Sequence, residues 1–505
     1  MRDKADVTRR RANRVSEPAM PAGWLNGEIA VIGLARSGRA VATLLARTGA
    51  EVYASDAERS KPLEATATAL RAEGVDVDLG GHDLGRIGKA SLIVASPGVP
   101  PSAPPLATAH GHGIEIVSEV EIGLRLLPNL RYVAITGTNG KTTTTALTAH
   151  LLASLGHRAV AAGNIGTPLS ELALQPNPPE WVALEISSFQ LHDTPSIRPR
   201  VGVLTNLSSN HLDRYTSVEE YYGDKALLFR NATAASQWVT NGDDVVVEAL
   251  TEAAAGVRCR FSVRGRSDAW LDRGRGMLEV LGEPLLARDD LHLIGDHNVA
   301  NALAAALAVL LANEAHRHPE ALGAVARGLR TFHALEHRIE TVGEINGVLW
   351  INDSKSTNVA STQVALQGMT RPTILLLGGR HKGEPYTSLT EELRRTAKVV
   401  LAYGEAAPII EGDLGNVVPV ERLGSSLIDV VAAAKRTARA GDAVLLSPAC
   451  SSYDMFDNYE QRGREFKRLV SHTGTGRVDT GKGRVPADGA GGRGETGSAS
   501  RGAKR

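Results

Sequence analysis

Cysteine is almost absent from this 505-residue chain. Cys259 and Cys450 are the only two, too few for a disulfide framework or a four-cysteine zinc site. That scarcity fits a reducing, cytoplasmic setting. An excess of one charge is missing too: Lys+Arg and Asp+Glu stand at 56 each, which argues against a general nucleic-acid binder. No apolar run is long enough to span a bilayer. The longest, residues 302–312, is about half of what a membrane helix needs, so no membrane insertion is expected. The arginine-rich N-terminus has no apolar signal-peptide core.

What is present is enough for several packed cores, with 42% hydrophobic residues. Residues 1–22 read as a disordered basic arm. The Gly-, Arg- and Ser-rich segment 473–505 reads as a disordered tail, because it has almost nothing apolar to bury. Between them, short apolar runs that stop at glycine or polar residues alternate with helical patterns. "GEIAVIG", "EVYAS" and "SLIVASPGVP" form one block. "RYVAITG", "WVALEIS" and "VGVLTNL" form a second. A third opens near "GVLWIND" and continues through "TILLLGG", "VVLAYG" and "DAVLLSPA". This is α/β alternation around parallel sheets. Joints near 128 and 334 give three domains, 23–128, 129–334 and 335–472. In open α/β sheets, ligands gather outside the carboxyl ends of the strands, and every polar motif here follows such an end.

The strongest motif is "ITGTNGKTTTT", Ile135–Thr145. The common phosphate loop is G-x-x-x-x-G-K-[ST]. Counting back from Gly140-Lys141-Thr142, its first glycine would fall at Ile135, but the glycine is Gly137. Glycines at Gly137 and Gly140 let the backbone, with Thr138, Asn139 and Thr143, come close to phosphate oxygens. Lys141 reaches the β/γ-phosphates and the Thr142 hydroxyl suits Mg²⁺. A polar strand–helix turn with a chance lysine is the bland alternative; the strand before and the helix after speak against it. Gly33-Leu34-Ala35-Arg36-Ser37-Gly38 resembles a dinucleotide fingerprint with Ala35 in a glycine slot, and reads equally as an ordinary tight turn. Glu185 ends "WVALEIS" and His211 follows "VGVLTNL". At neighbouring strand ends, a carboxylate and an imidazole suit a metal. Taken singly, His211 also reads as a core or loop histidine, and Lys225 as a solvated helix lysine. "HALEHRIE", "INDSKSTN" and "LLSPACSSYDMFDNYEQRG" are further polar clusters. The run from Asp353 to Thr357 within them reads either as a helix cap or as a site.

Together, "GLARSG", "ASPGVP", "ITGTNGKTT", "GNIG", "LEISSFQL", "NHLDRY", "GDHNVANALAA", "HRIE", "NDSKSTN", "LLLGGRHKG" and "LLSPACSS…NYEQRG" resemble the Mur ligase family over roughly Gly27 to Val470. The shortened loop is that family's own version. The resemblance implies a Rossmann-like N-terminal domain for the UDP part of the substrate, a central P-loop ATPase domain, and a Rossmann-like C-terminal domain. It implies an ATP-dependent ligase of cytoplasmic peptidoglycan precursor synthesis, acting as a monomer. ATP would phosphorylate the alanyl carboxylate of UDP-N-acetylmuramoyl-L-alanine, and the D-glutamate amine would attack the acyl phosphate. Carried over by motif, the phosphate loop with Asn298, Asn301, Arg338 and Asp353 contacts ATP. Thr142 and Glu185 hold one Mg²⁺. Lys225, carbamylated by CO₂, and His211 serve a second. Gly33, Ser37, Asp56, Asn164, Ser187 and Gln190 face the UDP-muramoyl substrate. Lys355, Thr357, Lys382, Ser452 and Tyr459 surround D-glutamate. Asn210, before His211, departs from the acidic residue usual there, and Ser55-Asp56-Ala57 departs in the uracil region. The alternatives are another Mur-type amino-acid ligase or folylpolyglutamate synthase, and beyond these a phosphotransferase or a non-catalytic scaffold.

Overall fold

A strand buried on both faces needs an unbroken apolar run. β1 (Ile29–Ile32) is such a run, buried at every residue. In the computed structural model, which describes residues 20–208 and 215–472, it is the centre of a parallel sheet. β2 (Val52–Asp56), β3 (Asp76–Leu79), β4 (Leu92–Ala95) and β5 (Ile116–Ser118) complete that sheet in the order β3-β2-β1-β4-β5. The order reverses between β1 and β4, which opens a crevice at their carboxyl ends. Met20 and Trp24 are already packed into this first core, so the last residues of the segment read as an arm join it. Residues 1–19 and 473–505 lie outside the described residues.

The second sheet contains β6 (Arg131–Thr136), β7 (Ala159–Gly163), β8 (Trp181–Glu185), β9 (Val201–Leu204), β10 (Gln237–Asn241), β11 (Val257–Ser262), β12 (Ala269–Asp272), β13 (Met277–Val280) and β14 (Glu283–Ala287). Their order is β14-β13-β12-β11-β10-β9-β6-β8-β7. Two expectations need correction here. β12 joins the sheet parallel to β11, but β12, β13 and β14 pair antiparallel with one another, so this end of the sheet is not purely parallel. Glu185 and the segment after β9 are not at neighbouring strand ends, because β6 lies between β8 and β9. Chain neighbours are therefore not sheet neighbours at this point. The apolar stretch 302–312 sits in the helix Asp296–Ala312, which is buried nearly all round among the second sheet and the helix Lys141–Ser154. An all-round apolar helix of this kind is a core element. Among the described residues no helix is long and apolar enough to cross a membrane.

The third sheet runs β15 (Glu340–Ile345), β16 (Val348–Asn352), β20 (Ala443–Leu446), β17 (Thr373–Gly378), β18 (Ala397–Tyr403), β19 (Val420–Arg422). It opens one strand earlier than "GVLWIND" suggests. β15 and β16 form an antiparallel hairpin whose two-residue turn, Asn346-Gly347, has positive φ at both positions. Asn-Gly is the sequence signal for that turn, and it stood in plain view.

The first and second units meet through buried Glu119, on the helix Glu119–Leu126. Its Oε1 accepts from the Ser170 backbone N–H at 2.6 Å, while Oε2 has no partner among the described residues. Burial outweighs that hydrogen bond and raises its pKa to about 7. The folded state thus holds a proton that the unfolded chain releases near 4.5. Its contribution is full below about pH 4.5 and is lost as pH rises to about 7, on the order of 3 kcal/mol in total. Glu119→Gln is isosteric and cannot ionise. Its melting temperature should gain on the native protein between pH 5 and 8; parallel Tm–pH curves would show that Glu119 is ionised throughout.

Candidate active site

β6 delivers the chain into the turn Gly137–Gly140, and Lys141 starts a helix of 14 residues. Gly137 (φ +145°) and Gly140 (φ +81°) occupy backbone that other residues avoid. A Cβ at Gly137 would strike Thr205, and one at Gly140 would strike Asn301. Space and conformation thus both demand glycine. The loop after β9 braces the turn: Thr138 N donates to Asn206 O and Asn139 N to Asn206 Oδ1, both at 2.8 Å. Lys141 Nζ donates to the carbonyls of Gly137 (2.9 Å) and Thr138 (2.8 Å). Burial and the neighbouring Arg338 push its pKa down, against the pull of Glu185. Arg338 arrives from the third unit, 196 residues away in sequence, and its Nη2 donates to Thr142 Oγ1 at 3.0 Å.

A cavity of about 120 Å³ lies between the second and third units. Asn139, Gly140, Thr143, Asn298, Asn301, Arg338 and Asp353, all expected from the sequence, line it. Asn301 Nδ2 donates to Asn298 Oδ1 (3.2 Å), whose Nδ2 donates to Ile294 O (2.9 Å). Asp353 is buried and its pKa is raised to about 6, although Ser447 Oγ (2.8 Å), Ser356 Oγ and the Ile339 N–H all donate to it. Asp353 is no helix cap; Asn358 caps the following helix. His297, missed in the sequence reading, also lines the cavity. Burial lowers its pKa to about 4 and keeps it neutral. Its only sequence signal was its place in "GDHNVANALAA".

Beside the turn, Glu185 ends β8, fully buried. Asn164 Nδ2 donates to its Oε1 at 2.9 Å, while Oε2 has no partner among the described residues. Lys225 is 1% exposed. Its Nζ has a long contact with Thr136 Oγ1 (3.5 Å) and lies 4.8 Å from the centre of the Tyr221 ring. Burial first, and Lys141 second, push its pKa well below that of an ordinary lysine; Asp224 and Glu185 oppose this. The solvated-lysine reading is thereby corrected. His211 and Asn210 fall in 209–214, outside the described residues. Among the described residues no three His, Cys, Asp or Glu side chains cluster as a metal site. One unpartnered carboxylate oxygen beside a phosphate-type loop does suit Mg²⁺, which takes one or two protein oxygens and completes its shell from phosphate and water.

In the first sheet, Gly33 (φ +86°) turns the chain after β1, and Asp56 Oδ2 accepts from Leu34 N at 2.7 Å. Ser37 lies in the first turn of the helix Arg36–Thr48. Arg36 ties this loop to the second unit through Gly166 O (2.7 Å) and Glu171 (3.1 Å). Ser187 and Gln190 form a reciprocal cap on the short helix Ser188–His192, a structural job at the least. In the third unit, Lys355 Nζ donates to the Tyr459 hydroxyl (2.8 Å) and Lys382 Nζ to Thr357 Oγ1 (3.3 Å). Ser452 is buried at the turn before Tyr459. The turn Gly137–Gly140, Glu185, Lys225, Arg338 and Lys355 thus gather at the carboxyl ends of two sheets that face one cleft. Cations predominate there, and the arrangement suits phosphoryl transfer to or from an anion.

Comparison with known proteins gives three consecutive matches. Residues 27–118 match the Mur ligase MurD-like N-terminal domain, 135–309 the Mur ligase middle domain, and 337–450 the Mur ligase glutamate ligase domain. The UDP-N-acetylmuramoylalanine–D-glutamate ligase of Salinibacter ruber is 41% identical, over 87% of this chain and 96% of its own length. The protein of the same name from Myxococcus xanthus is 39% identical, over 88% and 98%. Among solved structures, the UDP-N-acetylmuramate-alanine ligase of Thermotoga maritima superposes with a TM-score of 0.55 at 19% identity, covering 88% of this chain and 99% of that one, a likeness of fold alone. With matched domains in the same order along most of its length, and curated relatives near 40% identity, this chain belongs to the Mur ligase family.

Proposed function

We propose that this chain joins D-glutamate to UDP-N-acetylmuramoyl-L-alanine at the cost of ATP, the reaction for which its curated relatives are named. The observation that carries this reading is a phosphate-type loop opening on a cleft where Lys141, Arg338 and Lys355 outnumber the carboxylates Glu185 and Asp353. A carboxylate is a poor electrophile until its oxygen leaves as phosphate. In the proposed sequence the alanyl carboxylate attacks the γ-phosphorus of ATP and ADP departs. The D-glutamate amine then attacks the acyl carbon, a proton leaves the nitrogen, and phosphate departs. Two anions must meet in the first step. Lys141 and Arg338 sit where they can offset that repulsion, and Asn298, Asn301 and Asp353 would hold the nucleotide. Glu185, oriented by Asn164, and Thr142 would hold Mg²⁺, which when bound neutralises phosphate charge.

Lys225 is proposed to act as a carbamate. CO₂ adds only to a neutral amine, and the depressed pKa of Lys225 supports that state. The carbamate would turn a buried cation into an anionic oxygen ligand for a second Mg²⁺, with His211. Gly33, Ser37, Asp56, Asn164, Ser187 and Gln190 are proposed for the UDP-muramoyl substrate. Lys355, Thr357, Lys382, Ser452 and Tyr459 are proposed for D-glutamate.

The direct test is phosphate release with each component omitted in turn. Turnover is expected only with ATP, Mg²⁺, UDP-N-acetylmuramoyl-L-alanine and D-glutamate together. Equal turnover with L-glutamate or a diamino acid would point to a different ligase of the family.

A further inference from the structure

Arg462, on the helix Tyr459–Ser471, is 1% exposed. Its Nε donates to Ser354 Oγ (3.0 Å), and its Nη2 to the carbonyls of Ser354 (2.9 Å) and Cys450 (3.2 Å). Nη1 is buried and makes none of these bonds. Among the described residues Arg462 makes no ion pair, and neither do Lys355 and Lys382. The Tyr403 hydroxyl lies within hydrogen-bonding reach of the guanidinium, and the Asp454 carboxylate acts on the same hydroxyl without forming an ion pair with the arginine. An arginine does not escape by losing its proton. Burial has already cost this charge its hydration, so an anion arriving nearby meets a cation stripped of water.

The place matters as much as the charge. Ser354 precedes Lys355 on the loop after β16, and its Oγ also donates to Tyr459 O at 2.8 Å. Cys450 stands two residues before Ser452 on the loop after β20. On the loop after β17, a Cβ at Gly379 would come within 3.2 Å of Arg462 Nη1, and that loop leads to Lys382. One guanidinium therefore touches all three strand-end loops that carry the amino-acid candidates.

We propose that Arg462 is a positioning residue that makes this subsite select an amino acid with two carboxylates, by holding the three loops and by keeping beneath them a buried positive charge that forms no ion pair. This rests on the amino-acid ligase reading. Turnover of D-glutamate by the native enzyme is therefore the first arm: without it that reading fails, whatever Arg462 does. The second arm compares D-glutamate with D-glutamine, the same shape with one carboxylate fewer. Arg462→Gln keeps a polar side chain and removes the charge. It should raise the KM for D-glutamate and cut the D-glutamate/D-glutamine ratio of kcat/KM about tenfold, with the KM for ATP little changed. Arg462→Lys keeps the charge and loses the fork. It should hold that ratio within about twofold of native even where kcat falls. Equal loss on both amino acids in Arg462→Gln would reduce Arg462 to a structural clamp and overturn the proposal. If Arg462→Gln does not fold, Arg462→Lys decides: a retained ratio supports the proposal and a collapsed one overturns it.

Discussion

Replacing Lys141 with alanine should lower kcat about a hundredfold or more, the scale on which one preorganised electrostatic donor acts. The ammonium is half-buried, fixed by two loop carbonyls, and lies at the mouth of a helix whose first N–H groups already attract anions. Its depressed pKa reflects burial and Arg338; a polyphosphate at the loop reverses that cost by supplying negative charge. Steady-state kinetics with Lys141→Ala and Lys141→Arg checks this. Near-native kcat in the alanine variant would remove Lys141 from the transition state. A second effect is built in. Lys141 also helps depress the pKa of Lys225, so the alanine variant should leave Lys225 more often protonated and less able to take up CO₂.

Lys225→Ala should abolish most activity, about a hundredfold or more, and short carboxylates such as formate or acetate should restore part of it. A free ammonium beside a bound Mg²⁺ repels it, whereas a carbamate oxygen is the kind of ligand Mg²⁺ takes. The sign with pH follows from the amine. As pH falls, Lys225 protonates and the carbamate is lost, so native activity should fall on the acid side and be restored there in part by added bicarbonate. If Lys225→Ala stays active at low Mg²⁺, or carboxylates never rescue it, the carbamate reading is wrong and the buried lysine is a structural cation.

Several elements were legible in the chain because their signals are local. The turn Gly137–Gly140 stands where a strand ends and a helix begins, and its glycines are forced by φ and by the closeness of Thr205 and Asn301. The apolar stretch 302–312 was legible as too short for a membrane, but not as the spine of the second core. The β15–β16 hairpin was missed although Asn346-Gly347 announced it, because the third block was opened only at "GVLWIND". Lys225 looked like any helix lysine, since its neighbours Asp224 and Ala226 say nothing about what covers it.

By itself the sequence determined the three α/β blocks, the phosphate-type loop and the family, because strand, turn and loop chemistry are written in residues a few positions apart. Only the tertiary structure decided which charges lose their water. It put β6 between β8 and β9, brought Arg338 to Thr142 across 196 residues, and buried Glu119, Lys225 and Arg462 with no ion pair among the described residues. The physical reason is that burial and pairing belong to the packing of distant segments. The desolvation that shifts Glu119 and Lys225, and the buried charge of Arg462, appear only once those segments meet.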